Sequence, residues 1–469
     1  MARALTASGF DAARAMFLLD LAAALFAWPV AIALLFGQVP EAGRPGSLPL
    51  VLYPACYLLL LYSLGLYRRE ALIEPGRALQ RVPFAAGLGA FAASCGVALL
   101  LLVLDGTVPS GLSELFVTGC IAFTIAGAAA RVVFRTLRRM RLFRRRMLII
   151  GAGHRAWDLV WLLRNEGRTA GYVIACVHGP EMGSLDPRVA EDPHIQLFRG
   201  NLGFLAAAEE FGAEQIVVAP DERRGLKMQA LLACRTAGFP VTEYLGCLER
   251  EIGRIDMKRL ELGWLLYSDG FGANQLDHAL KRGLDILVSL VLLVVTAPFL
   301  LGAAIAVKLQ DGGPVLYRQS RVTLDGRPFR IMKLRTMLVD AEKHGATWAA
   351  DRDPRITAIG RFLRRTRIDE LPQLFNVLLG DMSLVGPRPE RPEFIGKLAE
   401  ELPLYDERHR VKAGLTGWAQ VNYPYGASLD DARSKLSYDL YYVKNFNVMF
   451  DLRILMQTLR VVMWPSGVR

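Results

Sequence analysis

The sequence predicts a membrane protein of the α plus α/β class. Its parts are a four-helix transmembrane bundle over residues 1–140, a doubly wound α/β domain over 147–250, and a basic domain over 274–469 that opens with an apolar segment at 284–307. Three observations carry this. Hydrophobic residues make up 52% of the 469, too many for an ordinary soluble chain, and long apolar runs fill the first third. A short apolar strand then runs into a glycine-rich turn at 151. Beyond 307 the hydropathy falls and basic clusters alternate with strand-like and helix-like runs. The net charge of +11 comes in blocks that border apolar segments, which suits anionic lipid or phosphate-bearing substrates. Nucleic acid is disfavoured as a partner, because no zinc-finger spacing or aromatic-rich basic motif accompanies the blocks. The six cysteines stand apart, without metal-ligand or redox spacing, as small buried residues in a reduced compartment. None follows Cys247, which excludes thiol chemistry from the last third.

The apolar runs at 15–37, 49–67, 82–104 and 112–134 each approach the ~20 residues needed to cross a bilayer. The first lacks a small-residue cleavage site and is closely followed by more spans, so it is not a cleavable signal. Arg77 and Arg81 follow the second run, whereas "DGTVPSGLSE" after the third carries no Lys or Arg. Basic loops stay cytoplasmic, and "RTLRRMRLFRRRM" at 135–147 therefore places the rest of the chain on the cytoplasmic side.

Next, "MLIIGAGHRA" reads as a strand followed by Gly151, Gly153 and Ala156, a G-x-G-x-x-A turn opening a helix. The second strand, "GYVIACVHG", ends at His178 and Gly179 rather than at the acidic residue that would hold a ribose hydroxyl. With "AAAEEFGAEQIVVAP" supplying a third unit, the domain is Rossmann-like. It either binds a dinucleotide or keeps the fold for regulation or dimerisation, since fold does not fix function.

The segment 284–307 is long enough to cross a membrane, yet Pro298 lies within it and both flanks are basic. Those flanks favour a re-entrant helix bent at Pro298, with both ends cytoplasmic; the alternative is a fifth span. Downstream, Asp325 and Gly326 mark a hairpin whose second strand puts Lys333 and Arg335 on one face. Arg361, Arg364 and Arg365 follow at helical spacing, either a solvated face or a stripe directed at Asp369 and Glu370. Pro372 and Gly380 suggest a helix that starts near Asp369, with both carboxylates at its positive end. Arg388, framed by Pro387 and Pro389, is aimed by a stiff extended segment. Carboxylates able to hold a metal, set among arginines, fit phosphoryl transfer, in which an aspartate can serve as nucleophile.

The segments "FRIMKLRTM", "RIDELPQLFNVLLGDMSLVGPRPE" and "VKAGLTGWAQVNYPYGAS" together resemble the bacterial sugar transferases that prime polysaccharide synthesis, the polyprenyl-phosphate glycosyl-1-phosphate transferases. With the four spans and the α/β domain, the chain is similar to the large form of that family, and "YDLYYVKN" and "DLRILMQT" resemble its exopolysaccharide branch. The resemblance implies a re-entrant, monotopic phosphoglycosyl transferase domain at the inner membrane. It implies a ping-pong reaction in which Asp369 attacks the sugar-linked phosphorus of a UDP-sugar, UMP leaves, and undecaprenyl phosphate takes the phosphosugar. Glu370 would help place Mg²⁺ beside Asp369, Arg364 and Arg388 would hold phosphate, and Lys333 and Arg335 would lie by the donor. A homodimer is implied as well. Ala297 and Ala413 depart from a serine and a proline common in the family. A membrane-bound nucleotide-sugar dehydratase or epimerase is a competing class, but no tyrosine here has Lys four residues on. A non-enzymatic membrane scaffold would leave the Asp369 cluster as surface charge.

Overall fold

The computed structural model describes residues 12–37, 48–73, 75–106, 111–140, 143, 145–167, 171–199, 203–224, 226–260, 262–267, 270–272, 275–339, 341, 353–424, 426 and 428–463. They fall into two compact units, Met1–Gly253 and Arg254–Arg469.

In the first unit the apolar runs become helices α1 (Ala12–Phe36), α2 (Leu48–Ser63), α3 (Pro75–Asp105) and α4 (Leu112–Arg139). Most of the loop expected between the third and fourth spans, 107–110, lies outside the described residues. By length and composition α1, α3 and α4 can cross a bilayer. Helix α2 has only 16 residues, fewer than the apolar run that suggested it. Gly65 at φ +75° ends it, and Leu66 N–H turns back to the Leu61 carbonyl at 3.0 Å, so the last residues of that run form a closing turn. Trp28, Tyr53, Tyr57 and Phe123 stack at the centre, with ring centroids 4.5 to 5.4 Å apart. One ion pair, Asp20 with Arg131, lies inside the bundle, where charges are tolerated when they pair.

Continuous apolar runs also suit strands covered on both faces, and the α/β part of this unit is built from them. Strands β1 (Arg145–Ile150), β2 (Tyr172–His178), β3 (Ile195–Arg199), β4 (Gln215–Val218) and β5 (Val241–Glu243) form one all-parallel sheet in the order β3-β2-β1-β4-β5. Helix α5 (His154–Asn165) follows β1, α6 (Phe204–Phe211) precedes β4, and α7 (Met228–Thr236) and α8 (Tyr244–Ile252) flank β5. Leu148, Ile150, Ala175, Val177 and Ile216 pack with Phe204, Phe211 and Leu231 in its core.

The second unit is organised on α9 (Gln275–Asp311), 37 residues that continue through Pro298. Both ends of α9 pack on the same domain. Near the start, Lys281 donates to the Val385 carbonyl (3.0 Å) and the Tyr442 hydroxyl (3.1 Å) and pairs with Asp451. One turn on, Asp285 accepts from Ser383 Oγ and Leu384 N–H, both at 3.0 Å. Near the end, Ala303 and Val307 pack on Leu334 and Leu363. Between these anchors Leu290, Val291, Leu292, Val294, Val295 and Phe299 are exposed, an apolar surface suited to lipid.

Strands β6 (Leu316–Val322) and β7 (Pro328–Leu334) form the expected antiparallel hairpin. Asp325 and Gly326 both have positive φ, +53° and +74°, as a tight hairpin turn requires. Helix α10 (Ala358–Thr366) leads to a 3₁₀ turn over Ile368–Glu370, and α11 (Gln373–Leu379) follows. Asp369 and Glu370 thus stand in that turn, just ahead of the helix, a correction to the expectation of a helix that starts near Asp369 and ends at Gly380: its end is as expected, and its regular part begins at Gln373. A single residue in the left-handed conformation, Arg367 (φ +61°), breaks the two segments apart: Arg367 N–H closes onto the Arg364 carbonyl (3.4 Å) and Glu370 N–H onto that of Arg367 (3.2 Å), and α11 begins after Pro372. Strands β8 (Ser383–Val385) and β9 (Gly414–Thr416) pair in parallel beneath them. Gly386 and Gly414 let these two segments cross backbone to backbone: a Cβ at Gly414 would come within 2.1 Å of the Gly386 nitrogen. Helices α12 (Leu429–Asn445) and α13 (Val448–Met463) complete the core, where Leu374, Val377, Leu384, Trp418, Tyr442 and Ile454 are buried.

Candidate active site

Four elements converge on Asp369 and Glu370. Asn376 of α11 accepts from Met332 N–H and donates to the Arg330 carbonyl, both at 2.9 Å, which fixes β7 against the turn. Lys333 on β7 then reaches Glu370 Oε1 at 3.0 Å. Arg388 reaches the same oxygen at 3.0 Å, and Arg367 stands 3.9 Å from Oε2. Arg364 of α10 donates from Nε to Thr336 Oγ1 at 2.9 Å and acts on Asp369 through its field.

The two neighbouring carboxylates are driven apart in acidity. Asp369 is 7% exposed, and its buried Oδ1 has no hydrogen-bond partner among the described residues. Burial, followed by the charge of Glu370, raises its pKa to about 6 against the opposing fields of Lys333, Arg364 and Arg367. Burial works on Glu370 in the same sense, but Lys333, Arg388 and Arg367 outweigh it and hold that carboxyl well below the usual range. Burial also lowers the Lys333 ammonium, with Glu370 opposing. One carboxylate is thereby a committed anion within a cationic clamp, and the other is a buried group whose Oδ1 is reached by no protein donor among the described residues. Such a divergence is the pattern by which two neighbouring carboxylates can take separate roles.

Among the described residues, no third His, Cys, Asp or Glu joins the pair. A divalent ion held there would draw the rest of its shell from substrate phosphates and water, which is how Mg²⁺ commonly binds. The unpartnered Oδ1 of Asp369 and the second oxygen of Glu370 fit that donor set.

Arg335 is not brought to the pair. It lies just beyond β7 and forms a two-pronged ion pair with Asp311 at the end of α9. Arg361 and Arg365 face solvent, so of the predicted stripe only Arg364 turns inward. Arg367 escaped sequence reading because its role follows from a left-handed backbone that periodicity does not report. At Ala413 the departure from proline leaves an N–H, and Thr323 Oγ1 accepts from it at 3.0 Å. Pro298 is exposed within the apolar stretch of α9.

The glycine-rich turn of the first unit forms, with Gly151 at φ +118°. Its anion position is filled by the chain itself. Asp221, just past β4, accepts from His154 N–H (2.8 Å) and Arg155 N–H (2.9 Å) at the start of α5.

Residues 276–465, which include this cluster and nearly all of α9, match the bacterial sugar transferase family. The chain is 45% identical over 189 residues to the exopolysaccharide production protein PSS of Rhizobium leguminosarum bv. phaseoli, covering 39% of this chain and 94% of that protein. It therefore belongs to the bacterial sugar transferase family. A UDP-N-acetylgalactosamine-undecaprenyl-phosphate N-acetylgalactosaminephosphotransferase of Aeromonas hydrophila is 41% identical over 252 residues, 53% of this chain and 58% of the relative. The UDP-glucose:undecaprenyl-phosphate glucose-1-phosphate transferase of Escherichia coli K12 is 42% identical over 189 residues, 40% of each chain. The matches thus span about half the length of these last two relatives.

Proposed function

We propose that the protein transfers a sugar-1-phosphate from a UDP-sugar to undecaprenyl phosphate, releasing UMP, as the priming step of exopolysaccharide synthesis. The observation that carries this is Asp369: a buried carboxylate with an unpartnered oxygen, beside a Glu370 already held by Lys333 and Arg388. In the first half-reaction Asp369 attacks the sugar-linked phosphorus, a P–O bond to the aspartate forms, and the bond to the bridging oxygen breaks so that UMP carries that oxygen away. In the second, an oxygen of undecaprenyl phosphate attacks the same phosphorus and the bond to Asp369 breaks. Arg388, Arg364, Arg367 and Lys333 stabilise charge on the phosphates in both steps. Mg²⁺ held by Asp369 and Glu370 would neutralise phosphate charge.

Both ends of α9 lie on one domain while its middle presents apolar side chains, which supports a re-entrant helix bent at Pro298 rather than a fifth span. The reading places the catalytic domain at the cytoplasmic face of the inner membrane, where its lipid acceptor and nucleotide donor meet. It also includes a homodimer formed through the α/β domain, tested by light scattering in mild detergent.

The main test supplies full-length protein in nanodiscs with UDP-sugars and radiolabelled acceptor. UMP release, a sugar-phosphate adduct on Asp369 in the absence of acceptor, and loss of turnover in excess chelator with recovery on Mg²⁺ are expected. Turnover by Asp369→Asn at a tenth of the native rate would rule out the covalent route.

A further inference from the structure

The segment Pro387-Arg388-Pro389-Glu390 carries two prolines, so it lacks two of the N–H groups by which a chain is ordinarily fixed. Its carbonyls are used instead, and each of the four is taken by a different group. Gly414 N–H reaches the Pro387 oxygen at 2.8 Å, and Val322 N–H reaches that of Glu390 at 3.1 Å. The two central carbonyls accept from guanidinium groups remote in sequence: Arg408 Nη2 on Arg388 at 3.0 Å, and Arg321 Nη1 on Pro389 at 3.1 Å. Arg408 is 5% exposed and is itself fixed, donating to Tyr405 Oη at 2.7 Å and Asp439 Oδ2 at 2.8 Å. Arg321 on β6 is held by Gln319 Oε1, at 2.7 Å from Nη2 and 3.1 Å from Nε.

We infer that Arg408 and Arg321 are positioning residues for the transfer reaction: they hold the backbone that aims Arg388 at Glu370. Neither has a described bond to Asp369 or Glu370, so any effect on rate passes through Arg388. Two guanidinium groups arriving from β6 and from the 405–410 turn replace the ladder that proline forbids. The buried Asp439 balances the charge of Arg408. The inference rests on the proposed function only in taking Arg388 to act on the substrate phosphates.

The test is a double-mutant cycle on the full chain in nanodiscs, read as kcat/KM for UMP release, with the unfolding midpoint measured alongside. Arg408→Lys keeps a charge opposite Asp439, but its single nitrogen cannot reproduce the fork that also serves Tyr405 and the Arg388 carbonyl. Alone it should lower kcat/KM by about ten- to a hundredfold, the range expected from a displacement of about 1 Å. In an Arg388→Lys background the same change should cost less than about twofold, because the group it aims is already gone. Losses that simply multiply, or Arg408→Lys within about twofold of the native protein, would overturn the inference. If Arg408→Lys does not fold, Arg321→Gln, which leaves the buried Arg408–Asp439 pair intact, is read in the same cycle by the same criteria. Failure of the proposed reaction shows separately, as turnover retained by Asp369→Asn; an inactive Asp369→Asn together with a multiplicative cycle defeats only the positioning role.

Discussion

Replacing Asp369, the proposed nucleophile, should make the protein more stable as well as inactive. The Asp369 pKa is raised from 3.8 to about 6, so the fold disfavours the ionised carboxylate. For a group raised in this way, the associated stability is complete below the unfolded value of 3.8 and is lost as pH rises through about 6. A shift of about two units corresponds to about 3 kcal/mol at pH 8, by the ~1.4 kcal/mol that each unit represents. Asp369→Asn keeps the shape and never ionises, so it should be more stable than the native protein by up to that amount at pH 8. The advantage should shrink to about 1.5 kcal/mol at pH 5 and about 0.5 kcal/mol at pH 4. Glu370 titrates in the opposite sense, but it is present in both proteins and largely cancels from the difference. For a unit of roughly 200 residues this is about 6–12 °C in Tm at pH 8, using ~2–4 °C per kcal/mol. The measurement is thermal unfolding of both proteins in one detergent between pH 4 and 8, beside UMP release, which should fall by several orders of magnitude. A variant melting at or below the native temperature at pH 8, or a gap that does not change with pH, would refute burial as the source of the Asp369 shift.

The same shift sets a pH–rate profile: as the proposed nucleophile, Asp369 would have to be ionised to attack, so kcat/KM should fall about tenfold per unit below pH ~6, and a flat profile from pH 5 to 8 would exclude it as the titrating nucleophile. In a cysteine-free background, cysteines at Gln275 and Gln310, chosen to spare the Asp311–Arg335 pair, should both label only from the cytoplasmic side. Pro298→Ala should lower activity and move some Gln310 labelling outward; periplasmic labelling of Gln310 in the unaltered helix would defeat the re-entrant arrangement. Gly153→Ala brings a Cβ to 2.0 Å from Asp221 Oδ2 and should loosen the first unit, with faster amide exchange at His154 and Arg155, while UMP release stays near normal. Lost transfer with the oligomer intact would instead tie that turn to catalysis.

What the sequence discloses and what it conceals divide along physical lines. Local chemistry reads well: Asp325-Gly326 gives the hairpin, apolar runs give long helices and a parallel sheet, and period-two spacing sets Lys333 towards Glu370. Arg335, next on that face, falls past the strand end and is claimed by Asp311, a partner 24 residues away that no periodicity identifies. Helical spacing grouped Arg361, Arg364 and Arg365, yet Arg361 and Arg365 are exposed and only Arg364 turns inward, to Thr336, a partner outside the helix that periodicity does not identify. The carboxylates leave the predicted helix because one left-handed residue, Arg367, ends α10 ahead of Pro372. Arg408 and Arg321 could not be read at all, since their partners are backbone carbonyls 20 and 68 residues distant.

Asp221 gives the glycine-rich turn a resident counter-ion. Because the carboxylate is tethered to the end of β4, it competes at high effective concentration with any free phosphate approaching His154 and Arg155. Entry of such a ligand and withdrawal of the Ala219–Asp221 segment would be a single event, so occupancy of the turn and the position of that segment are thermodynamically linked. The α/β domain thus carries, in Asp221, its own carboxylate partner for the N–H groups of His154 and Arg155.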